Sequence, residues 1–497
     1  MRTPVKRYVV LSLVLLAAIT GCFVTRQITV VPPERDVPTN IMVNVNAVLA
    51  DVSQHPIGIN VNFFMDDDGH FSPKRSTVDA LKAMGVKWLR YPGGEKSDLY
   101  LWSVPPYDKP RPTMARTGQG CVTDRWSMFE NYSTFKYDVL DFDEFIKMCR
   151  QVGAEPVIVV AADGYLTDYP EHCTFTNRER LIETAAAWVR YANIKKGYNI
   201  KYWMIGNETW HPDNKNSTPQ VYAQDVIDFS RAMKAKDPSI KVIPNGSSYQ
   251  WWETVLPAAV DYVDAVCLSN YPIWNYKEGY KTYRDSTPDL IGRIHEAARA
   301  IEKFVPDQRK KEFKIIVAEY GPFDWAGTWP QINDTGHALV CFEMTGQQLN
   351  HPKVEFSQFW NTRWIWNLEK ENQVWDALDK DGSFNPTGHI IAIWGNFLSS
   401  KMVYTTSSIR IRTFASYDDK KKQFYLYIIN KSESEEALVL DIEGASVDSV
   451  AQRWELVGKD DSDTDPLWQK NESTSASETL SLSVPGTSIT VIEYTLK

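Results

Sequence analysis

Between residues 55 and 395 the chain alternates short apolar runs with longer stretches whose apolar residues recur at helical spacing. This alternation predicts a parallel β-sheet covered by α-helices, because parallel strands are buried on both faces and are nearly all apolar. The eight candidate strands are 57–63, 86–91, 156–161, 202–206, 241–244, 265–269, 314–318 and 354–360. Candidate helices between them include 141–152, 178–191, 219–235 and 291–305. Eight such units predict an α/β fold of the (β/α)₈ TIM barrel type, with functional residues at the C-terminal ends of the strands.

The pattern changes at about residue 401. From there on, apolar and polar residues alternate within short segments that are separated by polar turns, and helical spacing no longer appears. The segments 423–429 and 488–492 are examples. Residues 401–497 are therefore predicted to form a C-terminal β-sandwich domain. Residues 42–48 alternate as well, so 42–54 are predicted to add an N-terminal strand that completes the sandwich, leaving 55–400 for the barrel.

The N-terminus has the features of a secretory signal. A basic start precedes an apolar run over residues 8–19, which is short for a membrane-spanning helix. The run ends in Ile19-Thr20-Gly21-Cys22, which resembles a bacterial lipobox. The resemblance implies a lipoprotein, with a signal peptide over residues 1–22 and Cys22 as the lipidated residue. An ordinary cleaved signal with a chance cysteine is the alternative.

Residues 23–41 contain Pro32, Pro33 and Pro38 and lack periodicity, which predicts a tether. Phe23 after the lipobox cysteine provides no acidic retention signal, and this favours the outer membrane of the cell envelope. The lipid anchor would be the chain's sole contact with a membrane.

Composition narrows the class of protein. The 497 residues are 43% apolar and 24% charged, a globular mixture that argues against a disordered chain or a multi-span membrane protein. The net charge of −9 argues against a nucleic acid partner. The 18 tryptophans serve either as core residues or as platforms for sugars.

Without Cys22 the chain has five cysteines, so at least one stays unpaired. Cys149, Cys267 and Cys341 lie in apolar patterns that indicate core positions. Cys121 and Cys173 could bridge two long loops, but their spacing does not decide it.

Two glutamates end apolar strands: Glu208 follows the fourth candidate strand and Glu319 the seventh. A carboxylate leaving a buried strand is costly unless it is paired, hydrogen-bonded or used. At one end of a barrel, the pair suits glycoside hydrolysis with retention, which needs two carboxyl groups roughly 5 to 5.5 Å apart. Glu319 is the predicted nucleophile and Glu208 the acid/base, with a pKa raised by burial and by the charge of Glu319. The alternative is that both glutamates are members of structural ion pairs.

Further candidates lie at other strand ends. Arg90 could hold Glu319 ionised, Tyr271 could donate to the same carboxylate, and Asn207 could bond a sugar hydroxyl beside the reacting carbon. Trp360 and Trp364, after the eighth strand, could form the floor of a sugar subsite. The alternatives are a salt bridge for Arg90, a core ring for Tyr271 and domain packing for the tryptophans. This chemistry needs no metal and no cofactor.

In order and spacing, these residues resemble clan A glycoside hydrolases, and most closely family 51, the α-L-arabinofuranosidase family. The matching motifs run through nearly the whole mature chain and include Arg90-Tyr91-Pro92-Gly93-Gly94, Gly153-Ala154-Glu155-Pro156, Trp188-Val189-Arg190-Tyr191, Gly206-Asn207-Glu208 and Asp237-Pro238-Ser239-Ile240. The resemblance implies a barrel with a sandwich, and it implies that Glu208 is the acid/base and Glu319 the nucleophile.

Several sugar-contacting positions depart from the family pattern. The family has Asn at the position of Glu95 and His at the position of Asn270. At the end of the first strand it has Glu, whereas this chain has Asn62 or a neighbour. After the catalytic glutamate the family has an acidic residue followed by glycine, whereas this chain has Thr209-Trp210-His211 after Glu208. Glu95, Asn270 and Trp210 are therefore candidate substrate-binding residues in an altered sugar subsite.

The leading hypothesis is a retaining, α-L-arabinofuranosidase-like hydrolase of plant or algal polysaccharides. Another clan A activity, of the endo-glucanase, xylanase or agarase type, is one alternative. A non-catalytic, surface-tethered glycan-binding lipoprotein is another.

Overall fold

A computed structural model describes most of the chain after residue 38. The described residues are 39–117, 129–130, 134–135, 138–162, 173–212, 214, 216–364, 373–475 and 480–497. The predicted signal peptide with Cys22, residues 23–38 of the predicted tether, and Cys121 lie outside them. Within the described residues, no helix combines the length and the apolar character that crossing a membrane requires.

Eight parallel strands form a barrel in the order β6-β5-β4-β3-β2-β9-β8-β7. A bridge between Asn245 and Cys267 joins its two ends. The strands are β2 Ile57–Asn60, β3 Trp88–Tyr91, β4 Glu155–Val160, β5 Tyr202–Ile205, β6 Lys241–Pro244, β7 Ala265–Asn270, β8 Lys314–Tyr320 and β9 Val354–Phe359. The predicted barrel is confirmed: its strands are apolar because one face fills the barrel interior and the other packs under helices.

Several strand ends differ from the prediction by one to three residues, and two of these differences concern site residues. The first strand ends at Asn60 rather than at Phe63, because the carbonyl of Asn62 accepts hydrogen bonds from the N–H groups of Met65 and Asp66 and turns the chain. Asn62 therefore lies in a loop. The seventh strand continues past residue 318 to Tyr320, so Glu319 lies within β8.

The helices follow the strands as the pattern predicts. They are α1 Asp68–Phe71, α2 Thr77–Met84, α3 Phe142–Val152, α4 Arg178–Val189, α5 Pro219–Lys234, α6 Tyr249–Ala259, α7 Tyr280–Arg284, α8 Gly292–Phe304, α9 Asp307–Lys310, α10 Thr335–Leu349 and α11 Pro386–Asn396. A π-helical turn, Arg190–Lys195, extends α4, and 3₁₀ turns cover Glu95–Asp98 and Val260–Tyr262. Side-chain hydrogen bonds cap the N-termini of several helices; at α3, Asp141 and Glu144 form a reciprocal capping box.

The sandwich domain is a nine-stranded sheet in the order β15-β14-β17-β12-β11-β10-β1-β13-β16. Its strands are β1 Thr39–Asp51, β10 Lys401–Thr405, β11 Ile411–Asp418, β12 Gln423–Asn430, β13 Glu436–Glu443, β14 Val447–Val457, β15 Leu467–Ser475, β16 Ser481–Val484 and β17 Ser488–Leu496. Strand β1 lies between β10 and β13, which confirms the predicted N-terminal strand. It begins at Thr39 rather than at residue 42, since Ile41 is buried and pairs with Leu440.

The loops also contain short two-residue strands, at Tyr100–Leu101, Thr113–Met114, Arg116–Thr117, Phe129–Glu130, Thr134–Phe135 and Thr174–Phe175.

Cys149, Cys267 and Cys341 are buried and free, as their apolar surroundings predict. Cys173 is disulfide-bonded, and its partner lies outside the described residues.

The sandwich packs against the barrel through alternate residues of one sheet. In β12, Phe424, Leu426 and Ile428 fill the sandwich core, whereas Tyr425, Tyr427 and Ile429 join the core that includes the barrel helices. Helix α10 is buried nearly all round between the two domains. A helix covered on every side lacks the apolar stripe by which an amphipathic helix is predicted.

A buried carboxylate on α10 ties the two domains together. Glu343 is fully buried and accepts hydrogen bonds from the Tyr283 hydroxyl at 2.7 Å and from Nε of Arg412 in β11 at 2.7 Å. Such a charge is stable in the interior because both partners donate to it.

Arg412→Met should therefore lower the free energy of unfolding by about 3 kcal/mol, since it leaves the Glu343 carboxylate buried with fewer donors. Urea unfolding followed by circular dichroism measures the change. Lys422→Met is the matched control, because its ion pair with Asp419 is exposed to water and to screening by salt and contributes little to stability. Equal effects of the two substitutions would contradict this account.

Candidate active site

Glu319 is directed into the barrel opening by a β-bulge at the C-terminal end of β8. Leu268 and Ser269 of β7 are consecutive, yet they pair with Val317 and Glu319, so β8 holds one extra residue there. A bulge turns the following side chain and interrupts the hydrogen-bond ladder. Nδ2 of Asn60 donates to the carbonyl of Ala318 at 2.9 Å and so satisfies the bulged residue.

Both oxygens of Glu319 accept hydrogen bonds from buried donors. Nη1 of Arg90 lies 2.8 Å from Oε1, and the hydroxyl of Tyr271 lies 2.8 Å from Oε2. Arg90 is only 1% exposed, and its guanidinium also donates to Oδ1 of Asn60 at 2.7 Å and to Oδ1 of Asn207 at 2.6 Å. A guanidinium and a phenol therefore hold this carboxylate in one orientation.

The paired glycines after Arg90 make room for this arrangement. A Cβ on Gly94 would lie 2.7 Å from Oε1 of Glu319 and 2.8 Å from the Trp360 ring. Gly93 has a φ of +132°, a conformation that side-chain-bearing residues rarely adopt. The Gly-Gly step thus lets the backbone approach the carboxylate directly.

Glu208 is presented by a strained turn at the end of β5. Its φ is +47°, and Gly206 before it has a φ of +68°. The side chain of Asn245 holds this turn: Nδ2 donates to the Ile205 carbonyl at 2.9 Å, and Oδ1 accepts from the N–H of Thr209 at 2.9 Å. The hydroxyl of Tyr222 donates to the same carbonyl at 2.7 Å.

The environment of Glu208 favours its protonated form. Burial, and after it the negative charge of Glu319, raise the pKa of Glu208 to about 7, although a hydrogen bond with the Ser269 side chain and the charges of Arg293 and Arg90 oppose the rise. At neutral pH the Glu208 carboxyl can therefore both give and accept a proton.

The two glutamates line one cavity of about 340 Å³ at the C-terminal end of the barrel. The described part of its wall is mostly aromatic, and the described lining residues are Glu95, Glu208, Tyr271, Glu319, Phe323, Trp325, Gln331, Trp360, Trp364 and Trp375. A cavity of this size, with a few convergent polar groups on an apolar wall, suits a small ligand such as one sugar unit.

A buried lysine lies under the tryptophans of this wall. The ammonium of Lys96 lies 4.6 Å from the ring centre of Trp360 and 2.6 Å from that of Trp364, and it donates to Oδ1 of Asn62 at 3.3 Å. Nδ2 of Asn62 donates to Oδ1 of Asn361 at 2.9 Å. Asn62 is thereby a support behind the wall, and it does not line the cavity.

The structure brings most of the predicted site residues together. Glu95, Trp360 and Trp364 line the cavity, whereas Arg90 and Asn207 lie behind the two glutamates. Like Arg90 and Asn207, the predicted substrate-binding residues Asn270 and Trp210 are not in the lining. Asn270 is fully buried, with Nδ2 donating to the Leu290 carbonyl at 2.9 Å, and Trp210 packs against the core with the Arg293 guanidinium 5.1 Å from its ring centre.

Sequence reasoning missed Asn60, Lys96, Asn245, Phe323, Trp325, Gln331 and Trp375. Asn60 carried a usable signal, since an amide inside an apolar strand needs a buried partner. The others lie in loops or turns without periodicity.

Across the described part of the chain, no group of three or more His, Cys, Asp or Glu side chains could hold a metal ion.

Comparisons with known proteins agree with this geometry. Residues 80–288 match the model of the α-L-arabinofuranosidase 1 domain. An intracellular exo-α-(1→5)-L-arabinofuranosidase of Acetivibrio thermocellus is 28% identical over 285 residues, 54% of this chain and 51% of that protein. α-L-Arabinofuranosidase C of Emericella nidulans is 30% identical over 207 residues, 39% of this chain and 37% of that protein. The chain thus spans about half or less of the length of these relatives.

Solved structures share the whole architecture. The family 51 α-L-arabinofuranosidase of Thermotoga petrophila superposes with a TM-score of 0.69 at 20% identity, over 91% of this chain and 99% of that one. The α-L-arabinofuranosidase of Thermotoga maritima in complex with arabinose gives 0.68 at 20% identity, with the same coverage. The chain therefore shares the barrel-and-sandwich fold of these enzymes, and its residues 80–288 match the α-L-arabinofuranosidase 1 domain.

Proposed function

We propose that the chain is a retaining glycoside hydrolase that removes α-L-arabinofuranosyl units from polysaccharides of plants or algae, or from their fragments. The observation that carries the proposal is the contrast between two glutamates in one cavity. Glu319 is a fixed nucleophile that accepts a hydrogen bond from Arg90 on one oxygen and from Tyr271 on the other, whereas the pKa of Glu208 is raised to about 7, which suits an acid/base. Double displacement requires one group of each kind.

In the first step, an oxygen of Glu319 attacks the anomeric carbon and forms an ester. The bond from that carbon to the leaving oxygen breaks, and the proton of Glu208 moves to this oxygen. Arg90 and Tyr271 keep the attacking carboxylate oriented, since each occupies one of its oxygens.

In the second step, the ionised Glu208 takes a proton from water, and the oxygen of this water attacks the anomeric carbon. The bond to Glu319 breaks and the carboxylate is restored. Forming the ester removes the charge of Glu319, which is one of the causes that raise the pKa of Glu208. Glu208 is thereby a stronger acid when the ester is present, and it can act as the base.

The choice of sugar follows from the relatives, which are named as α-L-arabinofuranosidases. The matching segment, residues 80–288, includes Arg90, Asn207, Glu208 and Tyr271 but ends before Glu319. The role of Glu319 therefore rests on its position and hydrogen bonds in this structure.

We also propose that the mature chain is a lipoprotein of the outer membrane, anchored through Cys22. The support is the basic start, the apolar run over residues 8–19 and the lipobox-like Ile19-Thr20-Gly21-Cys22. The anchor would hold the enzyme at the cell surface or within the envelope, where its substrates are extracellular carbohydrates.

Substitution of the two glutamates should give different losses. Glu319→Ala should lower kcat/KM for every substrate by a factor on the order of 10⁴ or more, because no nucleophile remains. Glu208→Ala should lower kcat/KM by about 10² to 10⁴ for alkyl arabinofuranosides but much less for a dinitrophenyl arabinofuranoside, whose leaving group needs no proton. The exposed Glu253→Ala is the control. Equal losses of Glu208→Ala on both substrates would exclude its assigned role.

The same assays separate the alternative functions. Aryl glycosides of arabinofuranose, xylose, glucose and galactose are compared with xylan, glucan and agarose. Cleavage of these polymers without cleavage of arabinofuranosides would indicate another clan A activity. Binding without turnover of any substrate would indicate a glycan-binding protein.

The pH dependence of kcat/KM should reflect the raised pKa of Glu208. For an alkyl arabinofuranoside, kcat/KM should fall about tenfold per pH unit above about pH 7, because deprotonated Glu208 cannot protonate the leaving oxygen. Glu208→Ala assayed on the dinitrophenyl glycoside should lack this limb. A limb centred near the ordinary glutamate value of 4.5 would contradict the burial and charge effect.

Cys22→Ala should release the protein from the membrane fraction and leave kcat/KM unchanged, since Cys22 lies outside the catalytic barrel. Membrane fractionation and mass spectrometry of the mature N-terminus measure the result. Thr25→Ala, in the predicted tether, is the control and should remain anchored. Continued anchoring of Cys22→Ala would refute the lipobox assignment.

A further inference from the structure

A further cavity opens at the N-terminal end of the barrel, where strands β2 to β5 begin side by side. Its volume is about 410 Å³, whereas the cavity that contains the two glutamates has about 340 Å³. Its lining residues are Ser53, Gln54, His55, Lys87, Trp88, Gly153, Glu155, Lys201 and Tyr202. Because the active site of a TIM barrel lies at the opposite, C-terminal end, the proposed hydrolysis leaves this cavity without a role.

Residues at the starts of four neighbouring strands supply the charges of this cavity. His55 lies two residues before β2, Lys87 directly before β3 and Lys201 directly before β5. Glu155 is the first residue of β4. Since parallel strands all begin at the same end of the barrel, these four residues are brought around one opening. The lining thus contains three basic residues and one acidic residue.

The basic side chains of the lining are not neutralised by partners. Among the described residues, the side chains of His55, Lys87 and Lys201 form no ion pair and no hydrogen bond. Glu155 forms no ion pair with them either. The cavity is therefore a local excess of positive charge in a chain whose net charge is −9. A cleft that is lined mainly by one sign of charge concentrates its field and attracts ions of the opposite sign.

The pKa of His55 reflects this positive field. Burial, and after it the charges of Lys87 and Lys421, hold the pKa of His55 below its ordinary value. An anion beside the imidazole acts in the opposite direction, because it stabilises the protonated ring. The pKa of His55 therefore reports whether an anion occupies the cavity.

The polar groups of the lining are mostly hydrogen-bond donors. The two ammonium groups of Lys87 and Lys201 are donors only, and the exposed amide of Gln54 adds a further donor. Trp88 is only 7% exposed, and its Nε1 has no hydrogen-bond acceptor among the described residues. Phosphate and carboxylate oxygens accept such bonds, and bonds between ions are the strongest of this kind. The donors of the cavity therefore match an oxyanion.

We propose that this cavity binds an oxyanion carried by a small molecule, either a phosphate ester or a sugar carboxylate, with Lys87 and Lys201 as its charged contacts. A volume of about 410 Å³ lies within the range of small-molecule sites, so the rest of such a molecule has room beside the oxyanion. The site is separate from the proposed hydrolysis, because it lies at the other end of the barrel from Glu208 and Glu319.

Isothermal titration calorimetry of the intact protein at low ionic strength tests the site, because salt screens such contacts. Glycerol 3-phosphate and D-galacturonate are the two anionic probes, and glycerol is the neutral one. At least one anion should bind with a stoichiometry of one, whereas glycerol should not bind. Binding of one anion and not the other assigns the ligand to phosphate esters or to sugar carboxylates. Absence of binding by both anions would overturn the proposal.

Three lysine variants locate the binding. Lys87→Met and Lys201→Met should each weaken the affinity for the anion about tenfold or more, since each removes one charged hydrogen bond. Lys87→Arg should retain binding, because the charge remains. Lys459→Met, at an exposed lysine of the sandwich domain, is the matched control and should bind as wild type does. Circular dichroism establishes that each variant is folded. Affinity that is unchanged in both methionine variants at Lys87 and Lys201 would place the anion elsewhere and refute this site.

The second measurement is an NMR titration of His55 in the wild-type protein. Its pKa should rise when the protein is saturated with the bound anion, and His55→Asn identifies its signal among those of the other histidines. A pKa of His55 that the anion leaves unchanged would contradict binding in this cavity.

Discussion

The buried contact between Arg90 and Glu319 is the constraint around which the end of the barrel is organised. Taking a guanidinium and a carboxylate out of water costs several kcal/mol per ion, and their attraction offsets this only when the geometry is good and the remaining polar atoms are satisfied. Asn60, Asn207 and Tyr271 supply three such hydrogen bonds, whereas the buried Nε of Arg90 has no hydrogen-bond partner among the described residues. The bulge in β8 and the Gly93-Gly94 step are the backbone features that allow the pair to meet at 2.8 Å.

Glu208 lies in the same cavity under the opposite conditions. Glu319 lies within β8, whereas Glu208 follows β5 in a turn that places it where burial and the negative charge of Glu319 favour a bound proton. The difference between the two glutamates is therefore one of surroundings, since the side chains are chemically identical. Asn245 and Tyr222 maintain the difference by holding the strained turn that carries Glu208.

The loops and the sandwich support this arrangement from outside. Asp324 orders the loop that carries Phe323 and Trp325, and Lys96 lies beneath Trp360. On the far side, α10 is held between barrel and sandwich, with Glu343 bonded to residues of both domains. Buried charges thus recur where loops or domains meet, and each is satisfied by several donors or by aromatic faces.

The sequence by itself determined the features that follow from short-range patterns. Apolar runs and helix periodicity indicated eight strands and their helices, and strand-end glutamates indicated Glu208 and Glu319. Arg90 and Tyr271 were found for the same reason, since each also lies at the end of an apolar run. Asn270 was assigned to the substrate, but the fold uses its amide to bond the Leu290 carbonyl. Lys96, Phe323 and Trp375 lie in irregular segments, whose direction is fixed by long-range packing and by hydrogen bonds such as those of Asp324. The tertiary structure alone decided them, because no local pattern records which loops a barrel brings together.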